Sequence, residues 1–187
     1  MDAASQPEPA RTPNRTTVER KSARELVVTR TIDGPARLVF DAFTKAELLR
    51  QWWVPKSSGL SLLSCVVDAR VGGKYRLVFR HGDGTMAFFG TYLEVTPPSR
   101  LVWTNEEGGD GGTVTTVTFE ERGGKTLLVM HDLYPSPEAL DDAIAGMEGG
   151  LSESLEQLDA FVAGSKDRPL ETIKWGRSYL LGANYKF

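Results

Sequence analysis

Apolar and polar positions alternate along much of the chain, and their period predicts where strands and helices lie. The run Glu25–Ile32 reads ELVVTRTI and is rich in β-branched residues, which favours a strand. Six further strand-like runs follow, near residues 60–70, 73–80, 85–95, 100–107, 112–121 and 125–133. Turn sequences rich in glycine and proline separate these runs, as they do in an antiparallel meander. We therefore predict an antiparallel sheet of about seven strands.

The alternation inside the predicted strands indicates that one face of the sheet is covered. In KYRLVFR, the side chains of Tyr75, Leu77 and Phe79 fall on one face and those of Arg76 and Arg80 on the other. Such a division is typical of an antiparallel sheet with one solvated face. The covered face needs helices to pack against it.

Two segments have the period of a helix. After the first strand, DGPARLVFDAFTKAELLRQWW predicts two short helices broken near Thr44, and Pro55 then disfavours helical geometry. From Ser136 to Gly164, apolar residues recur every three or four positions and predict one long C-terminal helix. Three glycines interrupt its middle, and each lowers helix stability by about 1 kcal/mol relative to alanine.

This order of elements predicts an α+β fold in which a curved sheet surrounds the C-terminal helix. A curled sheet encloses space between its concave face and the helix, and the two short helices would close one end. Trp52 and Trp53 then lie where this lid meets the mouth of the predicted cavity. The domain spans residues 24–164.

The two ends of the chain differ in composition from this domain. Residues 1–23 contain three prolines and almost no large apolar side chains, so we predict a disordered N-terminal tail. Residues 165–187 form a C-terminal extension with basic and aromatic residues. It is interpreted either as a loosely attached terminus or as a segment that docks on the domain or on a partner.

The overall composition excludes several classes of function. Hydrophobic residues make up 40% of the 187 residues and charged residues 25%, as in soluble globular proteins. The net charge of −3 argues against a nucleic-acid partner. No apolar run approaches the roughly 18 residues that span a membrane. The single cysteine, Cys65, cannot form an internal disulfide, which fits a cytoplasmic location.

Titratable side chains that could support catalysis are sparse. Of the two histidines, His81 falls in a predicted turn, whereas His131 ends a predicted strand beside Asp132. His131 and Asp132 are therefore the only, weak, catalytic candidates. No cluster of histidine, cysteine and carboxylate residues has the spacing of metal ligands, so neither a metal nor a cofactor is predicted.

A series of motifs gives the chain a resemblance to a known family. They are TRTIDGPARLVFDAFT, WWVP, DARVGGKY, DGTMAFFGTYLEVTPPSRLVWT and GGKTLLV, followed by the long helix. In order and spacing they resemble the Hsp90 ATPase activator homologue (AHSA1-like) family of the START/Bet v 1-like (SRPBCC) superfamily. The resemblance implies a helix-grip fold with an internal apolar cavity. The family often has a Gly-Trp pair in its last helix, where this chain has Gly150 and Leu151.

The residues expected in the interior are apolar or aromatic, and ten of them are candidates for ligand binding. They are Trp52, Trp53, Tyr75, Phe79, Phe88, Tyr92, Trp103, Phe119, Met130 and Met147. Our leading hypothesis is a protein that binds a small hydrophobic, aromatic or lipid-like ligand. Two alternatives remain open. One is a cyclase-like or hydrolase-like enzyme acting on an aromatic or polyketide-like substrate, and the other is a co-chaperone-like module that binds a protein partner.

Overall fold

The computed structural model describes residues 14–109, 112–147 and 149–166. Eight strands are β1 Thr17–Arg20, β2 Glu25–Ile32, β3 Ser61–Val67, β4 Lys74–His81, β5 Gly84–Thr96, β6 Arg100–Asn105, β7 Thr113–Arg122 and β8 Lys125–Leu133. The helices are α1 Ala36–Thr44, α2 Ala46–Leu49, α3 Pro137–Gly146 and α4 Gly150–Ala163, with a short 3-10 helix at Lys56–Ser58.

All eight strands form one antiparallel sheet in the order β1-β2-β8-β7-β6-β5-β4-β3. The strands from β3 to β8 form the predicted meander, and β2 joins it by pairing with β8. Helices α1 and α4 pack against the sheet and against each other. The predicted α+β helix-grip architecture is confirmed.

The N-terminal segment adds one strand to the number that the sequence predicts. Strand β1 lies within the stretch for which the composition predicts disorder, and it pairs with β2. All four of its residues are exposed. The strand is therefore held by backbone hydrogen bonds to the edge of the sheet and not by burial of apolar side chains. This is why its polar composition was misleading. Residues 1–13 of the predicted N-terminal tail lie outside the described residues, as do residues 167–187 of the extension.

The segment predicted to form one long C-terminal helix is divided into two helices. Ser136 caps the start of helix α3, because its Oγ accepts a hydrogen bond from the backbone N–H of Ala139 at 3.2 Å. Gly149 interrupts the helical path with a φ of +80°, a value that glycine adopts without the steric cost of a side chain. Helix α4 begins at the next residue.

The core lies on the concave face of the sheet, where the alternation predicted from the sequence is visible strand by strand. In β8, the buried residues are Thr126, Leu128, Met130 and Asp132. Leu158 of α4 is fully buried above this face. No helix among the described residues has both the length and the apolar character needed to cross a bilayer.

Candidate ligand-binding site

Two adjoining cavities lie on the concave side of the sheet. The first, here called the sheet cavity, has a volume of about 170 Å³ and is lined by Phe43, Leu49, Trp53, Tyr75, Leu77, Phe88, Tyr92, Trp103 and Asn105. The second, here called the helix cavity, has a volume of about 310 Å³ and is lined by Trp52, Trp53, Pro55, Phe88, Met130, Gly146, Met147, Gly150, Leu151, Ser154 and Leu155. Both are walled by Trp53 and Phe88, which separate the two spaces.

The floor of the sheet cavity is built by facing residues of adjacent strands. Leu77 of β4 lies opposite Phe88 of β5, and Tyr92 of β5 lies opposite Trp103 of β6. Because side chains on directly opposed positions share a face, these four side chains project to the same side of the sheet. Register, more than proximity in sequence, therefore assembles this wall.

The two adjacent tryptophans have different positions. Trp52 is 2% exposed, its Nε1–H donates to the carbonyl of Ala42 at 3.0 Å, and its ring lies 4.8 Å from that of Phe43. Trp53 is half-buried and meets Trp52 edge-on at 5.2 Å. Trp52 thus anchors the segment to α1, while Trp53 forms the partition between the cavities.

Side chains of α4 hold this tryptophan segment by hydrogen bonds to its backbone. Ser154 Oγ donates to the carbonyl of Trp53 at 2.8 Å. Gln157 Nε2 donates to the carbonyls of Trp52 and Val54 at 2.8 and 2.7 Å. These bonds satisfy backbone carbonyls in the irregular segment that follows α2. They fix the position of Trp53 relative to α4, and the sequence analysis did not identify them.

A chain of hydrogen bonds runs from the sheet cavity to a buried carboxyl group. The hydroxyl of Tyr75 and Nε1–H of Trp103 donate to Asn105 Oδ1 at 2.8 and 3.3 Å. Asn105 Nδ2 donates to Thr115 Oγ1 at 2.9 Å, and Thr115 Oγ1 donates to Asp132 Oδ1 at 2.5 Å. Burial raises the pKa of the Asp132 carboxyl, although the bond from Thr115 opposes this effect.

Replacing Asp132 by asparagine is expected to stabilise the protein increasingly as pH rises. The pKa of Asp132 is raised in the folded state, so the wild-type protein loses free energy of unfolding as pH increases through that pKa, because the buried carboxyl must then ionise. At low pH the carboxyl is protonated and this loss is absent. Asparagine accepts the same hydrogen bond from Thr115 without a charge. Urea unfolding of both proteins between about pH 4 and about pH 8 measures the difference in free energy of unfolding.

Asp141→Asn is the matched control, because Asp141 is an exposed carboxylate at a side-chain exposure of 61%. This substitution should change the free energy of unfolding by about 0.5 kcal/mol or less, as is usual at an exposed position. A stability difference for Asp132→Asn that stays constant across the pH series would show that burial does not penalise the charged form of Asp132.

The two weak catalytic candidates do not come together. Successive side chains of a strand point to opposite faces, so Asp132 is buried on the concave side whereas His131 lies on the other side. There His131 is half-exposed, and its Nε2 lies 3.0 Å from Glu25 Oε1. Within the part of the chain that the structure describes, no group of three metal-ligating side chains is found.

Eight of the ten predicted ligand-binding residues line at least one cavity. Those on the sheet cavity are Trp53, Tyr75, Phe88, Tyr92 and Trp103. Those on the helix cavity are Trp52, Trp53, Phe88, Met130 and Met147. Phe79 and Phe119 line neither and belong to the core, where Phe119 packs edge-on against Phe43 at 5.3 Å. Asn105 and Ser154 were missed, because a single polar residue in a strand or helix gives no signal of its neighbours.

Comparison with known proteins gives a family match over most of the domain. Residues 33–163 match the family described as activator of Hsp90 ATPase homolog 1-like protein. No curated protein sequence matches the chain significantly.

Many solved structures have a similar fold. A protein of Nitrosomonas europaea is 25% identical with a TM-score of 0.69, the match covering 79% of this chain and 99% of that one. A protein of Rhodobacter sphaeroides is 26% identical with a TM-score of 0.72, over 80% of this chain and 98% of that one. An AHSA1-like protein of Aeromonas hydrophila is 20% identical with a TM-score of 0.59, over 74% and 93% of the two chains, and supports the fold alone.

Proposed function

Since the chain belongs to the family of activator of Hsp90 ATPase homolog 1-like proteins, we propose that it binds a small hydrophobic, aromatic or lipid-like ligand in the sheet and helix cavities. The observation that carries this proposal is the pair of adjoining apolar cavities between the sheet and the helices. Protein interiors are close-packed and contain few voids larger than a water molecule. Cavities of this size lose dispersion contacts that a ligand would restore.

The chemistry of the walls supports an uncharged ligand. Among the described residues that line the two cavities, none is Asp, Glu, Lys, Arg or His. Phe88, which borders both spaces, is 38% exposed and so marks a route from solvent. Together these features fit a molecule that enters past an aromatic edge and is held chiefly by burial of apolar surface.

The same walls give less support to acid–base catalysis. Tyr75 and Tyr92 are the titratable side chains that the described structure places on the sheet cavity. Burial raises the pKa of both hydroxyls far above neutrality. A general acid or base is most effective when its pKa is near the working pH, so neither tyrosine is suited to that role. The proposal is therefore one of binding.

Titration with N-phenyl-1-naphthylamine, a neutral dye that brightens in apolar surroundings, tests this function. The wild-type protein is expected to raise its emission saturably. Leu77→Trp fills the sheet cavity with a larger side chain, and it should weaken binding by about tenfold or more because the dye loses buried contacts. Circular dichroism checks that the variant is folded.

Leu93→Trp is the matched control. It makes the same exchange in the same sheet at a side chain that is 49% exposed. Its affinity for the dye should equal that of the wild type. Failure of the wild-type protein to bind the dye, or equal weakening by both variants, would contradict binding in the sheet cavity.

A further inference from the structure

The hydroxyl of Tyr75 is restricted to one hydrogen-bonding role toward a ligand. Its oxygen lies 2.8 Å from Asn105 Oδ1 and 3.1 Å from the carbonyl oxygen of Thr104. Both neighbours accept hydrogen bonds, so the single phenolic proton is committed to one of them. The lone pairs of the Tyr75 oxygen remain, and the hydroxyl can only accept a further hydrogen bond.

The orientation of the Asn105 amide, on which this restriction depends, is fixed from both sides. The indole N–H of Trp103 only donates, and it lies 3.3 Å from Asn105 Oδ1. The backbone carbonyl of Thr113 only accepts, and it lies 3.3 Å from Asn105 Nδ2. In a flipped amide, the NH2 group of Asn105 would face the N–H of Trp103, and its oxygen would face the carbonyl oxygen of Thr113. The oxygen of Asn105 therefore faces Tyr75.

Tyr92 supplies a second polar group to the same wall. It is 5% exposed, and its ring centroid lies 6.0 Å from that of Tyr75. Within the described part of the chain its hydroxyl forms no hydrogen bond, and its oxygen is still accessible. Because Tyr92 lines the sheet cavity, its hydroxyl is free to donate to a ligand there.

The electrostatic surroundings disfavour an anion at this position. The hydroxyl of Tyr75 resists ionisation, first because it is buried and then because Glu107 and Glu106 lie nearby, which is why its pKa is raised. A carboxylate placed beside Tyr75 would meet the same burial and the same negative charges. It would also find no proton on Tyr75, because that proton is already committed.

We infer that the sheet cavity selects neutral alcohols or phenols, whose hydroxyl donates a hydrogen bond to the Tyr75 oxygen and accepts one from the Tyr92 hydroxyl. The apolar part of the molecule then occupies the space bounded by Leu77, Phe88 and Trp53. A hydroxyl fits because it is a donor and an acceptor at one atom. The inference rests on the proposed binding function and assigns the chemical class of the ligand.

Three naphthalene derivatives that differ at one substituent test this selectivity. Wild-type protein is titrated with 2-naphthol, 2-methylnaphthalene and 2-naphthoate, and quenching of tryptophan fluorescence reports the binding. We expect 2-naphthol to bind about tenfold more tightly than 2-methylnaphthalene, the size of one to two net hydrogen bonds. The carboxylate should bind most weakly.

Two variants locate the origin of the preference. Tyr75→Phe should reduce the preference for 2-naphthol over 2-methylnaphthalene to about twofold or less. Tyr92→Phe should reduce it in part and provides an independent test if Tyr75→Phe does not fold. Tyr134→Phe is the matched control, because Tyr134 is 6% exposed but lines neither cavity. It should keep the wild-type preference.

The outcomes separate this inference from the function on which it rests. Equal wild-type affinities for 2-naphthol and 2-methylnaphthalene would overturn the selectivity while leaving hydrophobic binding in place. A preference that survives in both Tyr75→Phe and Tyr92→Phe would also overturn it. If none of the three compounds binds, the proposed function itself is overturned, and the inference with it.

Discussion

Replacing Trp52 by alanine is expected to lower the free energy of unfolding by about 3–5 kcal/mol, the range for deleting a large aromatic side chain from a core. Trp52 is 2% exposed and packs against Phe43, and its indole N–H is bonded to the carbonyl of Ala42. The alanine variant would leave both a cavity and an unpaired carbonyl. Urea unfolding followed by circular dichroism measures the loss.

Trp53→Ala is the matched comparison, because it removes the same side chain from the next position. Trp53 is half-buried and borders two cavities, so its removal should cost at most about 2 kcal/mol. It should nevertheless weaken binding of N-phenyl-1-naphthylamine, since it deletes a wall of both spaces. Equal losses of stability for the two variants would contradict the division into an anchor and a partition.

Replacing Asp159 by alanine is expected to lower the free energy of unfolding by about 3–5 kcal/mol, because it leaves a buried cation without its partner. Asp159 Oδ2 lies 3.1 Å from Arg30 Nη2, and the side chain of Arg30 is 4% exposed. Asp159 Oδ1 also accepts from the backbone N–H of Asp33 at 2.7 Å. One carboxylate on α4 thus fixes the end of β2. Chemical denaturation of the purified variant measures the change.

Two further variants make this prediction specific. Asp141→Ala breaks the exposed pair between Arg20 and Asp141 and should cost about 1 kcal/mol or less. The double variant Arg30→Leu with Asp159→Leu removes both buried charges and should lose less stability than Asp159→Ala alone. If the exposed and buried pairs cost the same, the ion pair of Arg30 is not the reason for the loss.

The architecture could be predicted from the sequence because periodicity reports burial directly. The alternation in β4 placed Tyr75, Leu77 and Phe79 on one face, and all three are buried. The order of strands and helices then left few ways to cover that face. What periodicity could not give was β1, whose hydrogen bonds to β2 require no apolar pattern, and the division of the C-terminal helix at Gly149.

The polar part of the candidate site was predicted only in part, because Asp132 was named as a weak catalytic candidate whereas Asn105 and Thr115 were not identified. Asn105, Thr115 and Asp132 occupy positions in phase with buried apolar residues of β6, β7 and β8. A polar residue in an apolar phase needs a partner. Thr115 lies opposite Trp103 and also opposite Asp132, so the partners come from neighbouring strands. Only the register of the sheet identifies them.

Arg30 is a buried charged residue whose partner also could not be identified from the sequence. It lies in phase with Val28 and Ile32 on the covered face of β2, which indicates a buried cation that needs an anion. The anion is Asp159, which is 129 positions away along the chain. Its identity depends on how α4 lies across the sheet, and no local pattern contains that information.

A crystal structure of the protein grown with N-phenyl-1-naphthylamine tests the central claim most directly. The account predicts that the dye lies on the concave side of the sheet, in contact with Trp53 and Phe88, and that side-chain packing closes neither cavity. Dye bound only at another surface at saturating concentration, or Trp53 packed onto Leu77 so that the sheet cavity is closed, would contradict it.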